Sequence, residues 1–526
     1  MEILKHWCLE TPPRESQLRA FDWLEKQTAK YLFLEAPVGS GKSAIGLTYS
    51  KYLSDKNGDS YVLTPQIILQ NQYEKTFSKE ILASLYGKNN YSCRRKKTTC
   101  DIGNLVNPKC SNCTYEAAKA RAKSMPNTVF NYTYAMLAFG YTTIFDKRTL
   151  MILDECHNLE TYLTEFDAIT VNEYRAKKIG VEWVKSKTFK EVFDWIKNQY
   201  VPAAEQHLEA LQLLNESIMD KSGFELTQSD LKQLREMETF AEHFDSVIGF
   251  THGQTLDNLQ AEYVLIQDRA SIKFKRLTGE RAFAQILLPK ADRFLFMSST
   301  ILQYKSSCRE IGIDPNDAAF ISLDSEFPVE NRPVYFMPTM KMNASWSAPE
   351  NKEKRKSMID TTSEILQMHK EDSGIIHTAN FQIAKWLVEE LTNKTSHQIL
   401  HHNPDSGDNR NDIIQAFQHG KNPKILISPS ITEGLDFKDD LSRFAIFVKL
   451  SFPYLGDNWI KRRMELSKEW YMRRTLIDLI QGGGRVVRSA EDWGNVYILD
   501  SSFDYLYNET AHMIPKWWKE SFRKIT

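Results

Sequence analysis

Ala36-Pro-Val-Gly-Ser-Gly-Lys-Ser43 follows the apolar run Tyr31–Ala36 and precedes the helix-like stretch Ser43–Leu53. Strand, Gly-rich turn and helix in that order constrain the fold more than any other feature of the chain. Such a turn points successive backbone N–H groups at one spot beside a helix N-terminus, which suits a phosphate chain. Pro37, Val38, Gly39, Ser40 and Gly41 would line that cradle. Lys42 would reach the β and γ oxygens, and the Ser43 hydroxyl would bind Mg²⁺. Ala36 stands where the usual pattern has its first Gly. The reading is an ATP site at the carboxyl edge of a parallel sheet.

Such a site also needs an acid for Mg²⁺ and a base for water. Met151-Ile-Leu-Asp-Glu-Cys-His157 offers both at the end of a strand-like run. Asp154 would hold Mg²⁺ through its water shell, and Glu155 would orient the attacking water. Cys156 reads as a packed small residue, and His157 as a link between the site and the sheet. A third element, Gln481-Gly-Gly-Gly-Arg-Val-Val-Arg488, lies far downstream. Arg485 and Arg488, three apart, are expected at a helix start and facing one way. Planar guanidinium groups there suit a transferring phosphoryl. A nucleotide shared between two domains follows, with hydrolysis opening and closing the cleft.

Apolar strand-like runs recur along the chain: 61–65, 149–155 and 293–300, then 374–380, 424–430, 444–450 and 495–500. Strands alternating with helices imply parallel sheets. The fold expected is α/β, with two RecA-like parallel-sheet domains. Residues 171–250 read as helical. Leu231, Leu234, Met237, Phe240, Ala241, Phe244 and Ile248 recur at helical spacing, and Val181, Val184, Val192, Phe193 and Ile196 roughly so; both stripes read as helix core. Residues 338–357 read as a surface loop.

At 526 residues the chain needs more than one core. A 42% hydrophobic and 26% charged composition is that of a globular protein, and no apolar run reaches membrane-span length. With no signal-like start, a cytoplasmic protein is expected, nucleoid-associated, or nuclear in a eukaryote. A net charge of −1 does not advertise nucleic-acid binding, although a motor gripping one strand needs only local positive charge. Four of seven cysteines, Cys93, Cys100, Cys110 and Cys113, cluster with C-x6-C-x9-C-x2-C spacing. Four thiolates fit tetrahedral zinc or an iron–sulfur cluster. The basic run Arg94–Lys97 beside them is either a solvated face or a phosphate contact.

In motif order the chain resembles the superfamily 2 helicases of the XPD/DinG type. Arg14 and Gln17 match a Q-motif-like segment that would read adenine. Ala36–Ser43 resembles motif I, Thr64–Gln72 motif Ia, and Tyr86–Cys93 the opening of an iron–sulfur domain. Asp154–His157 resembles motif II, Ser298–Leu302 motif III, Thr432–Phe437 motif V and Gln481–Arg488 motif VI. Motif IV falls near His377–Asn380, Ile514–Trp518 is similar to the family's ending, and Ser502 stands where a basic residue is expected.

The resemblance implies ATP, Mg²⁺ and a 4Fe–4S cluster on the four cysteines. It implies unwinding of forked DNA by 5′-to-3′ movement on a single strand, by a monomeric motor without a membrane partner. Gly434 and Asp436 would join the nucleotide site; Thr64, Gln72 and Thr432 would touch DNA. The expected domains are 1–85, 123–165 and 266–320 as the first motor, 86–122 as the cluster domain, 166–265 as a helical Arch, and 321–526 as the second motor. No exonuclease domain is expected ahead of Arg14. An RNA-remodelling or protein-stripping ATPase is the alternative. Intact Lys42, Asp154, Glu155 and Arg485 argue against a DNA-binding adaptor with a dead site, and the second α/β half argues against a nucleotide kinase.

Overall fold

A computed structural model of the chain describes residues 1–54, 57–94, 98–103, 112–219, 227–252, 255–402, 410–420, 423–429, 439–487 and 491–525. Strands β1 (Tyr31–Glu35), β2 (Ser60–Thr64) and β3 (Leu82–Ser84) are followed by a small antiparallel hairpin, β4 (Ser92–Cys93) with β5 (Thr98–Thr99). Next come β6 (Asn127–Asn131) and β7 (Arg148–Asp154). A separate antiparallel sheet holds β8 (Ile169–Asn172), β9 (Tyr263–Gln267) and β10 (Ser271–Arg276) in the order β8-β10-β9. The chain then returns through β11 (Ala291–Ser298) and β12 (Ala318–Ser322) to the first sheet. Its order is β12-β1-β11-β7-β2-β6-β3, all parallel.

A second parallel sheet is built from β13 (Val334–Met340), β14 (Gly374–His377), β15 (Gln398–His401), β16 (Lys424–Ser428), β17 (Phe444–Phe447), β18 (Asn495–Asp500) and β19 (Phe522–Lys524). Its order is β15-β16-β14-β17-β18-β13-β19. The two parallel α/β sheets expected from the alternating pattern are present. Central strands read as continuous apolar runs because both faces are covered: β1, β2 and β16 are buried at every position. The first sheet has one core on each face. Phe33, Phe130 and Phe296 pack on one side, and Leu34, Ile45 and Ile152 on the other.

Gln228–Thr251 is the long helix of the segment before β9, capped by a Thr227–Asp230 box. Leu231, Leu234, Phe240 and Phe244 are its buried stripe. The preceding stripe is helical only from Phe189. Val181 and Val184 lie in an irregular stretch, because Gly180 takes a left-handed φ of 76° and ends the helix Glu173–Lys178. Residues 338–357 are not a loop throughout. β13 runs to Met340 and a helix starts at Lys352, so the irregular chain is confined to the turns between them, and the polar residues from Lys352 onward lie on a helix. Among the described residues no helix is long and apolar enough to cross a membrane.

Candidate functional site: a nucleotide loop at the seam of two motors

β1 ends at Glu35, and the phosphate-loop sequence turns from it into the helix Lys42–Ser54. Gly39 and Gly41 adopt φ of 79° and 76°, a region open to glycine at little cost. At Gly41 a Cβ would come within 2.3 Å of the Gln17 side chain, so the position also needs glycine for space. Gln17 Nε2 donates to Ser40 O at 3.0 Å, and Arg14 donates to Gly39 O at 2.8 Å. The two residues expected to read adenine thus brace the loop's carbonyls.

Lys42 is 9% exposed, and its Nζ lies 3.9 Å from Glu155 Oε1. Asp154 and Glu155 stand at the end of β7, next to β11. Tyr73 donates to Asp154 Oδ2 at 3.0 Å, and Tyr132 donates to the Asp154 carbonyl at 2.8 Å. Burial, with Glu155 alongside, raises the Asp154 carboxyl, while Lys42 works in the other direction. Glu155 holds a left-handed backbone at φ 49°, a strained conformation for a non-glycine residue. Its Oε2 lies 3.4 Å from both Ser298 Oγ and His157 Nδ1. His157 Nδ1 is 2.8 Å from Ser298 Oγ. So His157 joins Glu155 to the end of β11.

The second motor reaches this site from the helix Lys468–Gly483. Gln481 Nε2 donates to Ser299 Oγ at 3.0 Å and to Thr300 Oγ1 at 2.8 Å. Arg474 donates to the His157 carbonyl at 2.8 Å. Arg485 does not sit at a helix start: the helix ends at Gly483, with Gly484 donating back to Ile480 O. Three consecutive glycines favour termination there. Arg485 is buried beside His377, whose imidazole is held down at about 3 first by burial and then by that guanidinium. His377 is therefore neutral and stacks on Phe447 at 4.4 Å.

Arg488, Cys110, Thr432, Gly434 and Asp436 lie outside the described residues. Thr64 is fully buried, with its hydroxyl on Gln66 O, whereas Gln72 is exposed. Among the cysteines, Cys100 and Cys113 bring their Sγ atoms to 3.5 Å, well outside disulfide bonding distance. Gly103 packs against Cys93 Sγ, which a Cβ would meet at 2.4 Å. No group of three possible metal ligands is gathered among the described residues.

Sequence reasoning missed a second layer. Glu160, on the helix after His157, is buried between the motors and accepts from Arg463 and, at 2.9 Å, from Trp470 Nε1. Arg473 pairs with Glu310 in the same seam. Tyr73 holds Asp154. None of these belongs to a motif spacing; only their place after a motif hints at a role.

Comparisons with known proteins agree with this layout. Residues 363–521 match the "Helicase C-terminal domain" family model, and residues 10–193 match "Type III restriction enzyme, res subunit". In its matched domains and its fold the chain is similar to the XPD/DinG-like superfamily 2 helicases. A solved XPD helicase superposes with a TM-score of 0.63 at 15% identity, covering 98% of this chain and 100% of that one. The Xpd4 structure from S. tokodaii gives 0.56 at 13% identity, covering 98% and 100%. A Regulator of telomere elongation helicase 1 homolog from Caenorhabditis elegans is 25% identical over 123 residues, 20% of this chain and 12% of that protein. The ATP-dependent DNA helicase CHL1 of Kluyveromyces lactis is 25% identical over 155 residues, 25% of this chain and 19% of that protein. The matched stretches thus span under a fifth of these relatives' lengths, while the helicase fold extends over nearly the whole chain.

Proposed function

We propose that this chain is an ATP-dependent DNA helicase that moves 5′-to-3′ on a single strand and opens forked duplexes. The observation that carries the reading is one seam. Lys42 and Glu155 face each other at 3.9 Å in the first motor, and Gln481 of the second motor hydrogen-bonds the Ser299–Thr300 segment beside them. A nucleotide bound there would alter how the two sheets sit against each other, as a stepping motor requires.

In this reading Lys42 neutralises charge on the phosphates, Ser43 and Asp154 hold Mg²⁺, and Glu155 orients the attacking water. Tyr73 supports this by fixing the Asp154 carboxylate through its 3.0 Å hydrogen bond. His157 holds Glu155 against Ser298. Arg485 and Arg488 would act on the phosphoryl once the cleft closes. Gly434 and Asp436 complete the nucleotide site, and Gln72 and Thr432 touch the strand.

The cluster domain at 86–122 and the Arch at 166–265, extended to include β10, are insertions in the first motor, and 321–526 is the second. Cys93, Cys100, Cys110 and Cys113 would hold a 4Fe–4S cluster. The adjacent sulfurs of Cys100 and Cys113, and the glycine packed on Cys93, fit a thiolate-bound group. Such a cluster would supply rigidity to a segment with little core of its own.

Unwinding of forked substrates with either a 5′ or a 3′ single-stranded tail tests the proposal. ATP-dependent opening of the 5′-tailed fork alone supports it. ATPase stimulated by RNA or DNA without strand separation would favour a remodelling ATPase instead.

A further inference from the structure

Glu35 is the last residue of β1, directly before the phosphate loop, and is 2% exposed. None of the nucleotide chemistry above uses it. Among the described residues no basic group pairs with it, and burial lifts its carboxyl to about 7. An acid buried without a cation is costly and needs a reason. Its two oxygens have specific tasks. Oε2 accepts from the Leu302 backbone N–H at 2.6 Å, and Oε1 accepts from Ser322 Oγ, at the end of β12, at 2.8 Å.

Leu302 is unusual in its own right. Its φ is 60°, a left-handed backbone that a branched aliphatic residue rarely adopts. The turn divides the two motors between neighbouring side chains. Ile301 is buried in the first motor's core with Phe33 and Phe296, whereas Leu302 is buried in the second motor's core with Phe327, Trp470 and Ile477. A right-handed backbone at Leu302 would turn its side chain out of that socket. The same segment carries Ser299 and Thr300, which Gln481 grips.

We propose that Glu35 is a positioning residue that holds Leu302 in its left-handed turn, so that Leu302 stays seated in the second motor's core and links the phosphate-loop strand to that motor. This deepens the helicase reading and rests on it. The link lies off the phosphates, so its loss uncouples DNA binding from hydrolysis without removing the hydrolytic groups.

The test uses the full chain with Glu35→Ala, Leu302→Ala, their double variant and Glu35→Gln, assayed for ATP turnover with and without oligo(dT). The two single alanine variants keep basal kcat and the KM for ATP within about twofold, while oligo(dT)-stimulated turnover falls about tenfold. The double variant is no worse than the poorer single, because both act on one link. Glu35→Gln keeps the stimulation, since its amide oxygen still accepts from the Leu302 N–H. Should the alanine variants fail to fold, Leu302→Met and Leu302→Asn replace them. Met fills the socket and keeps stimulation; Asn relaxes the backbone but loses the anchor, and stimulation falls. The inference is overturned by equal losses of basal and stimulated turnover, by additive losses in the double variant, or by unaffected stimulation in the single variants. A wild-type chain with no oligo(dT) stimulation overturns the helicase reading, and the inference with it.

Discussion

Arg474, on a helix of the second motor, donates a hydrogen bond to the backbone carbonyl of His157, two residues past Glu155 of the first, at 2.8 Å. A main-chain acceptor keeps this contact whatever the ionisation of His157. With Gln481 about two turns further along the same helix and bonded to Ser299 and Thr300, it forms a row of contacts from the second motor onto the His157 turn and the end of β11.

Removing that row should damage turnover more than nucleotide binding. Arg474→Ala is expected to lower DNA-stimulated kcat about tenfold with little change in KM for ATP, because the contact forms between motors and not to the nucleotide. Steady-state ATPase kinetics check this. A rise in KM alone would place Arg474 in ground-state binding.

Lys42→Ala should abolish hydrolysis while leaving the fold intact, since in the proposed site Lys42 supplies charge to the phosphates, and its polar contacts are with Ala36 O and Glu155. Glu155→Gln should bind ATP normally and turn over about a hundredfold more slowly. Nucleotide binding by fluorescence and hydrolysis by phosphate release separate the two. Full turnover in Glu155→Gln would move the base elsewhere.

Glu35 sets a pH dependence. Burial lifts its carboxyl to about 7 in the fold, against 4.5 for an ordinary glutamate. Between those values the folded chain holds a proton that the unfolded chain has lost, so stability falls as pH rises through the window. The full shift is worth about 3 kcal/mol. Glu35→Gln should match the wild type near pH 5 and be the more stable protein near pH 8, read as thermal midpoints at both pH values. Asp154 and Glu160 are raised in the same direction and remain in both proteins, so the difference isolates Glu35. A variant that loses ground at pH 8 contradicts the assignment.

The Glu160 pocket should be intolerant of half-removal. Arg463→Leu leaves a buried carboxylate with only Trp470 and its distant neighbours for compensation, and is expected to cost about 3–5 kcal/mol. Denaturant titration measures it. A loss below about 1 kcal/mol would mean the seam hydrates freely.

Cys110→Ser should lose the cluster and fork unwinding yet keep much of the DNA-stimulated ATPase, because Lys42, Glu155 and Gln481 lie on other segments. Iron and sulfide content with visible absorbance, alongside unwinding and ATPase rates, decides it. Zinc without iron in anaerobically purified protein would replace the cluster with a zinc site.

The motor strands were legible because parallel central strands are apolar throughout, and β1, β7, β11, β14 and β16 all end where a run of such residues stops. The phosphate loop and the Asp154–Glu155 pair were legible because their chemistry fixes both residue type and spacing. Placement was harder. Nothing in Gln481–Arg488 distinguished a helix start from a helix end until Gly484 closed the turn on Ile480 O. Arg14 and Gln17 were visible as a motif, but their bonds to Gly39 and Ser40 depend on a helix packed against the loop. Glu160, Arg463, Trp470 and Leu302 were illegible as partners: their meeting depends on how two sheets dock, and sequence separation carries no trace of it. Residues 338–357 misled because polar composition marks exposure, and exposed helices share it with loops.

β1 takes both of its neighbours from late in the chain: Tyr31 pairs with Phe294 on one side and Ala318 on the other. During synthesis the strand that carries the phosphate loop therefore emerges long before either flank exists. Its two edges stay unpaired while the cysteine segment and the helices before β9 are made. The sheet around the phosphate loop therefore closes only when β11 and β12 arrive, after the cysteine segment and the helices before β9 have already left the ribosome.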